Sequence, residues 1–392
     1  MGRIIIFTGK GGVGKSSVAA AHAMKSAGEG VKTLLVSTDM AHNLGDIFER
    51  SLGKEPEEVM ENLDAYEIDP EHVMKSDFAE IMDYITGLLA EKTSLQMQDL
   101  GILPGMEELF SLLRIAEIYE SGIYERIIID CAPTGETLAL LKFPELMSWY
   151  MEKLFPIGKI GVRVLAPVSK SVFQVEMPSS RAMSDIEKLY VRLAGLQELL
   201  KDRAVSSVRI VTTPEKMVVE ETKRNYMYLN LYDFNVDGLY INRILPKDLG
   251  NPFFDRWLTI QSGYVEYLKE NFGALPLYEI PWYDEELKGT DNIRRIVTDV
   301  LADRDVFAIR VHNERETFTK TEEGYELSVS LPGADKKEID MFQSPTDIVI
   351  RTGNFKRCIP LPNILRKYSV TKAKFDEDRL RITFVPAAEE QE

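Results

Sequence analysis

Cysteine is scarce: the 392 residues include only Cys131 and Cys358. That count excludes a disulfide framework and a four-cysteine zinc site within one chain. Long apolar runs are missing too. No stretch reaches the roughly 18 residues that a membrane-crossing helix needs. Positive charge is outweighed, with 47 Lys and Arg against 63 Asp and Glu, a net charge of −16 and a pI near 5.0. Basic residues form no cluster, and a surface of this sign repels nucleic acid and anionic lipid. Neither nucleic acid nor stable membrane insertion is therefore expected. The opening MGRIIIFTGK turns glycine-rich within ten residues. It is too short for a signal peptide and reads as a buried first strand of a cytoplasmic protein.

Hydrophobic residues make up 44% of the chain and charged residues 28%, enough for sizeable cores in two or three domains. Short apolar runs at 3–8, 32–37, 126–130, 208–213 and 238–242 alternate with amphipathic stretches at 17–27, 73–90, 106–120, 178–201 and 255–271. Continuous Ile/Val/Leu runs separated by helices predict an α/β fold, a mostly parallel sheet covered on both faces. After about residue 305 the text changes. Polar and apolar residues alternate between Gly and Pro turns, predicting an all-β sandwich. The expected organisation is an α/β domain at 1–305, a linker at 306–315, a sandwich at 316–385 and a solvated tail at 386–392. Within the first domain, 70–120 and 141–201 read as helical subregions.

The first chemical signal is Gly9-Lys10-Gly11-Gly12-Val13-Gly14-Lys15-Ser16, which fits G-x-x-x-x-G-K-[ST]. Glycines let backbone amides wrap a phosphate, and the following helix adds its N-terminal dipole. Lys15 is expected on the β- and γ-phosphates, Ser16 on Mg2+, and Ser17 in the same first turn. An accidental glycine-rich turn would lack the context seen here, a strand (RIIIF) before the loop and a helix (SSVAAAHAM) after it.

Lys10 marks the deviant form of this loop. It resembles the class containing the arsenite-pump ATPase, cell-division positioning ATPases and the nitrogenase iron protein. The resemblance implies that Lys10 reaches the nucleotide of a partner subunit, as an arginine finger does, and hence a homodimer. Together with STDMAHNLGD at 37–46, DCAPTGETL at 130–138, Thr213-Pro214-Glu215, Asn242-Arg243 and IPWYDEE at 280–286, it is similar over about residues 1–300 to the ArsA family and its tail-anchored-protein targeting ATPases. The resemblance implies that Asp39 positions the attacking water and contributes to the metal site. Asp130 would hold Mg2+ through water, Gly135 would sense the γ-phosphate, Asn242 would bond adenine, and Pro281, Trp282 and Tyr283 would cover the base.

Arsenite needs several thiolates, and Cys131 with Cys358 cannot build a three-cysteine site, so a pump subunit is the alternative reading. Zinc at a dimer interface is not expected, because 251–271 lacks the Cys-x-x-Cys pair that the targeting ATPases carry. A methionine-rich apolar stretch at 141–201 is the candidate surface for an apolar protein client. A further alternative is a chaperone-like binder with a slow or structural nucleotide site. Residues 316–385 resemble the α-crystallin domain of small heat-shock proteins, through YELSVSLPG, DIVIRTG and the run from Ala373 to Leu380. Asp378 stands where that family has glycine, and the tail lacks its Ile-x-Ile element.

Overall fold

The computed structural model describes residues 2–39, 43–70, 72–73, 106–131, 180–247, 249–272, 275–310, 316–353, 355–376 and 378–386. The expected helix at 73–90, the apolar stretch at 141–179, most of the second switch segment and Gly135 lie outside them. The chain divides into two compact units. One holds 1–7, 15–206 and 286–302, the other 8–14, 207–285 and 303–392.

In the first unit, β1 (Arg3–Thr8), β2 (Thr33–Ser37), β4 (Leu63–Glu67) and β5 (Arg126–Asp130) run parallel, with short β3 (Glu57–Met60) antiparallel at the edge. Ile4, Ile5, Leu34, Leu35, Ile127, Ile128 and Ile129 are fully buried. Strands covered on both faces need such unbroken apolar runs. Phe7 and Ser37 both register with Asp130, so the carboxyl ends of three strands lie side by side. Thr38 N donates to the Asp130 carbonyl at 3.0 Å, and Cys131 N donates to the Phe7 carbonyl at 3.0 Å. Helices α1 (Lys15–Gly28), α2 (Asn43–Phe48), α3 (Met106–Glu120) and α4 (Ser180–Lys201) belong to this unit, with α7 (Gly289–Ile296) from later in the chain. Alanines at 19, 20, 21 and 23 favour helix in α1 and are all buried.

The second unit contains β6 (Ser206–Thr212), α5 (Lys216–Leu231), β7 (Val236–Ile244), α6 (Pro252–Phe272) and β8 (Leu277–Pro281). Strands β6, β7 and β8 are parallel. The hydrogen-bonded order of the whole sheet is β3-β4-β2-β5-β1-β6-β7-β8, the mostly parallel sheet that the sequence predicts.

Residues 303–310 are strapped to these strands. The Val306 carbonyl accepts from buried Arg209 Nη2, and Arg209 Nε meets Asp237 Oδ1 at 3.1 Å. Arg304 Nη1 donates to the Leu277 carbonyl at 3.0 Å, and Asn235 Nδ2 to that of Arg310 at 2.9 Å.

The C-terminal part is an antiparallel sandwich. Its sheets are β14 (Tyr368–Asp376), β15 (Arg379–Pro386), β10 (Tyr325–Ser330) and β9 (Glu316–Lys320), and β11 (Ile339–Gln343), β12 (Asp347–Thr352) and β13 (Phe355–Pro360), each in hydrogen-bonded order. Leu327, Val329, Ile348, Ile350, Ile359, Leu380, Ile382 and Phe384 fill its core, and Leu231 at the end of α5 belongs to the same buried cluster. Asp378, in the glycine position of the α-crystallin pattern, has φ 61°. Aspartate tolerates that left-handed conformation better than most side chains. Here its carbonyl accepts from Leu331 N at 2.7 Å, and its carboxylate accepts from Gly333 N.

Candidate nucleotide site

The phosphate loop leaves the carboxyl end of β1 and passes without a break into α1. Two of its glycines have no substitute. A Cβ on Gly9, whose φ is 152°, would stand 2.1 Å from the Val211 carbonyl oxygen; one on Gly14, at φ 92°, would stand 2.3 Å from Asn242 Nδ2. Gly11 and Gly12 are different. Both are exposed, and nothing lies within 4 Å of a Cβ built on either. The loop therefore has tight walls at its two ends and an open middle, a shape that suits backbone amides closing on a phosphate.

Asn242, at the end of β7 and 3% exposed, supports this loop from below. Its Nδ2 donates to the Val13 carbonyl at 2.8 Å, and its Oδ1 accepts from Arg243 N at 2.8 Å. Arg243 takes φ 59°. The contacts Asn242 makes are to the loop itself. The pairing spans 229 positions, so no local signal announces it.

Pro281 closes β8 opposite Ile244, and Trp282 N donates to the Ile244 carbonyl at 2.8 Å. The Trp282 side chain is 55% exposed, and Tyr283 is half-buried. Asn242, Pro281, Trp282 and Tyr283 thus follow one another along the ends of two paired strands. Lys10 lies on the same unit, with its ammonium 3.4 Å from Glu221 of α5 and both side chains about one-third exposed.

In the other unit, Lys15 is buried in the first turn of α1, and Ser16 and Ser17 are partly exposed. Asp130 closes β5 with 1% of its surface exposed. Among the described residues, neither of its carboxylate oxygens makes a hydrogen bond of full geometry. Burial pushes its pKa from the usual 3.8 up to about 6; the Ser16 hydroxyl and the Lys15 ammonium act against that rise, and the Asp39 charge adds to it. Asp39 follows β2, half-buried, with its amide donating to Ser37 Oγ at 3.1 Å.

A buried, unpartnered carboxylate beside a hydroxyl and a second carboxylate is costly unless a cation completes it. Hard oxygen donors of this kind suit Mg2+ rather than a soft metal. The residues present therefore fit the metal.

A strand, a GKGGVGKS loop and a helix at the carboxyl ends of a parallel sheet, with Asp130 and Asp39 on neighbouring strand ends, define a P-loop ATPase. Comparison with known proteins goes further. A family profile described as "Anion-transporting ATPase" matches residues 2–302, and one described as "HSP20-like domain found in ArsA" matches residues 322–384. The chain belongs to the ArsA anion-transporting ATPase family and is an ATP hydrolase, with an HSP20-like domain at its C-terminal side.

Among its relatives is a putative arsenical pump-driving ATPase of Chlorobaculum tepidum, 36% identical over 97% of this chain and 96% of that protein. A similarly named ATPase of Aquifex aeolicus is 34% identical over 97% of this chain and 99% of that protein. The ATPase get3 of Pyrenophora tritici-repentis is 30% identical over 75% of this chain and 89% of its own length.

Proposed function

We propose that this chain is a Mg2+-dependent ATPase that closes as a homodimer around nucleotide and uses the cycle to bind and release an apolar protein client. The observation that carries the metal and the hydrolysis is Asp130: a buried carboxylate that makes no hydrogen bond of full geometry among the described residues, within electrostatic reach of Lys15, Ser16 and Asp39.

In this reading Lys15 neutralises the β- and γ-phosphates, and the Gly9–Gly14 backbone wraps them. Ser16 and Asp130, with Asp39 nearby, hold Mg2+, which supplies positive charge for the phosphates. Asp39 accepts a hydrogen bond from the attacking water and orients it toward the γ-phosphorus. Gly135 senses the γ-phosphate. Asn242 anchors the loop and offers its remaining donor and acceptor capacity to adenine, while Pro281, Trp282 and Tyr283 cover the base. Lys10 carries its charge to the phosphates of the other subunit. Groups of that kind are worth roughly 10³–10⁵ in rate.

The domains are read as an ATPase at 1–305, a connecting segment at 306–315 and a sandwich at 316–385. Several relatives carry the name of a putative arsenical pump-driving ATPase. A thiolate site is disfavoured here, because Cys131 is buried and Cys358 lies in the sandwich strand β13. The likeness to ATPase get3 and the methionine-rich stretch at 141–201 support a protein client instead.

The test is Asp39→Asn. It should retain ATP and lose turnover by at least a hundredfold, and light scattering should show a dimer trapped by ATP. Wild-type turnover in that variant would refute the assigned role. A monomer at saturating ATP would refute the closed dimer.

A further inference from the structure

Lys10 does not project freely into solvent. Its ammonium is 3.4 Å from Glu221 Oε2, on the helix that follows β6 of the same chain. The contact joins residues 211 positions apart, so it is a product of the fold. Glu221 stands in the second turn of α5. One residue before it, Glu220 pairs with Lys223 at 3.7 Å instead.

The helix is held at both ends. Val218, Val219 and Thr222 are buried beneath its first half, with Thr222 Oγ1 donating to Thr212 Oγ1 at 2.8 Å. At the far end Leu231 enters the sandwich core. A carboxylate on a helix fixed in this way is a stationary counter-charge. Residues 221, 225 and 228 follow at helical spacing along one face.

We propose that Glu221 is a positioning residue for Lys10. It holds the signature ammonium against its own subunit, and the ion pair must open before Lys10 reaches the phosphates of another copy. This rests on the reading of Lys10 as a charge supplied across subunits. Both side chains are about one-third exposed, and ion pairs of that exposure hold their partners by no more than about fivefold. Glu221 therefore sets a modest threshold for Lys10 transfer and does not block it.

The experiment is steady-state ATP hydrolysis by the full chain, comparing wild type with Glu221→Gln, Glu221→Asp, Lys10→Ala and the double variant Lys10→Ala/Glu221→Gln. Glu221→Gln should raise kcat about two- to fivefold with KM for ATP changed less than twofold. Glu221→Asp, which keeps the charge, should fall between it and wild type. The gain should shrink at about 0.5 M salt, where exposed pairs are screened, and should be absent in the Lys10→Ala background.

An unchanged or lowered kcat in Glu221→Gln, or an equal gain in the Lys10→Ala background, would overturn the positioning role. The two readings fail separately. Wild-type turnover in Lys10→Ala refutes the cross-subunit role of Lys10 itself. Loss of turnover there with a silent Glu221→Gln refutes only the holding by Glu221.

Discussion

Replacing Asp130 by Asn separates what this site costs the fold from what it does for the chemistry. Asp130 is buried and its carboxyl pKa stands at about 6 instead of 3.8. The folded state therefore binds this proton more tightly than the unfolded state does. Well below pH 3.8 the group is protonated in both states and imposes no penalty. As the pH rises from about 4 to about 6 the unfolded state releases this proton while the folded state keeps it, so stability is lost across that window and levels off above it. The shift corresponds to roughly 3 kcal/mol between those limits.

Asparagine cannot ionise. Its unpartnered amide carries a cost of about 1–3 kcal/mol, but that cost does not vary with pH. The expected result is a difference in stability, variant minus wild type, that grows by about 2–3 kcal/mol in the variant's favour between pH 4 and pH 7.5. Urea unfolding of both proteins, stripped of nucleotide and divalent metal by chelation, measures it. Adding Mg·ATP at pH 7.5 should then stabilise wild type by mass action and leave the variant unmoved. A stability difference flat across that pH range would refute the claim that Asp130 ionises at a cost to the fold.

Two further outcomes follow from other contacts. Asn242→Ala should weaken ATP binding by about tenfold, since the Val13 carbonyl loses its buried donor at a cost of about 1–3 kcal/mol; fluorescent-nucleotide titration reads this, and unchanged affinity would show that the loop holds its shape alone. Asp237→Ala should destabilise the protein by about 3–5 kcal/mol in urea unfolding, because it leaves the fully buried Arg209 guanidinium without its anion; a loss under 1 kcal/mol would show that Tyr240 and the Val306 carbonyl satisfy Arg209 unaided.

The parallel strands were readable because burial on both faces leaves a plain trace: IIIF, TLLV and IIID contain almost nothing but branched apolar residues. The phosphate loop was readable because its glycine spacing is set by local backbone geometry. Strands β3 and β4 carry no such trace. EEVM and LDAYE mix charge into the pattern, and β4 is buried through its pairing with β2. Helix α5 was passed over as well, because KMVVEETKRNYMYLNL spreads polar and aromatic residues around the whole helix; Asn225 and Asn230 are buried there alongside Val218 and Leu229. The loop's lateral contacts were the least legible part. Asn242 beneath Val13 and Glu221 beside Lys10 join positions more than two hundred residues apart, and only the completed sheet brings them together.

Leu231 ties the C-terminal sandwich to a helix far upstream in the chain. Its side chain sits fully enclosed among Leu327, Ile348, Ile359 and Phe384, yet it is encoded about a hundred codons upstream, at the end of a helix of the ATPase. A recombination event that lifted out residues 316–386 would leave an unfilled space where that leucine stood. One that deleted them would strip its cover. Either break is penalised by the loss of a buried leucine, on the order of 2–5 kcal/mol. Helix α5 and the sandwich are therefore coupled in stability: a change that loosens one exposes part of the interior of the other.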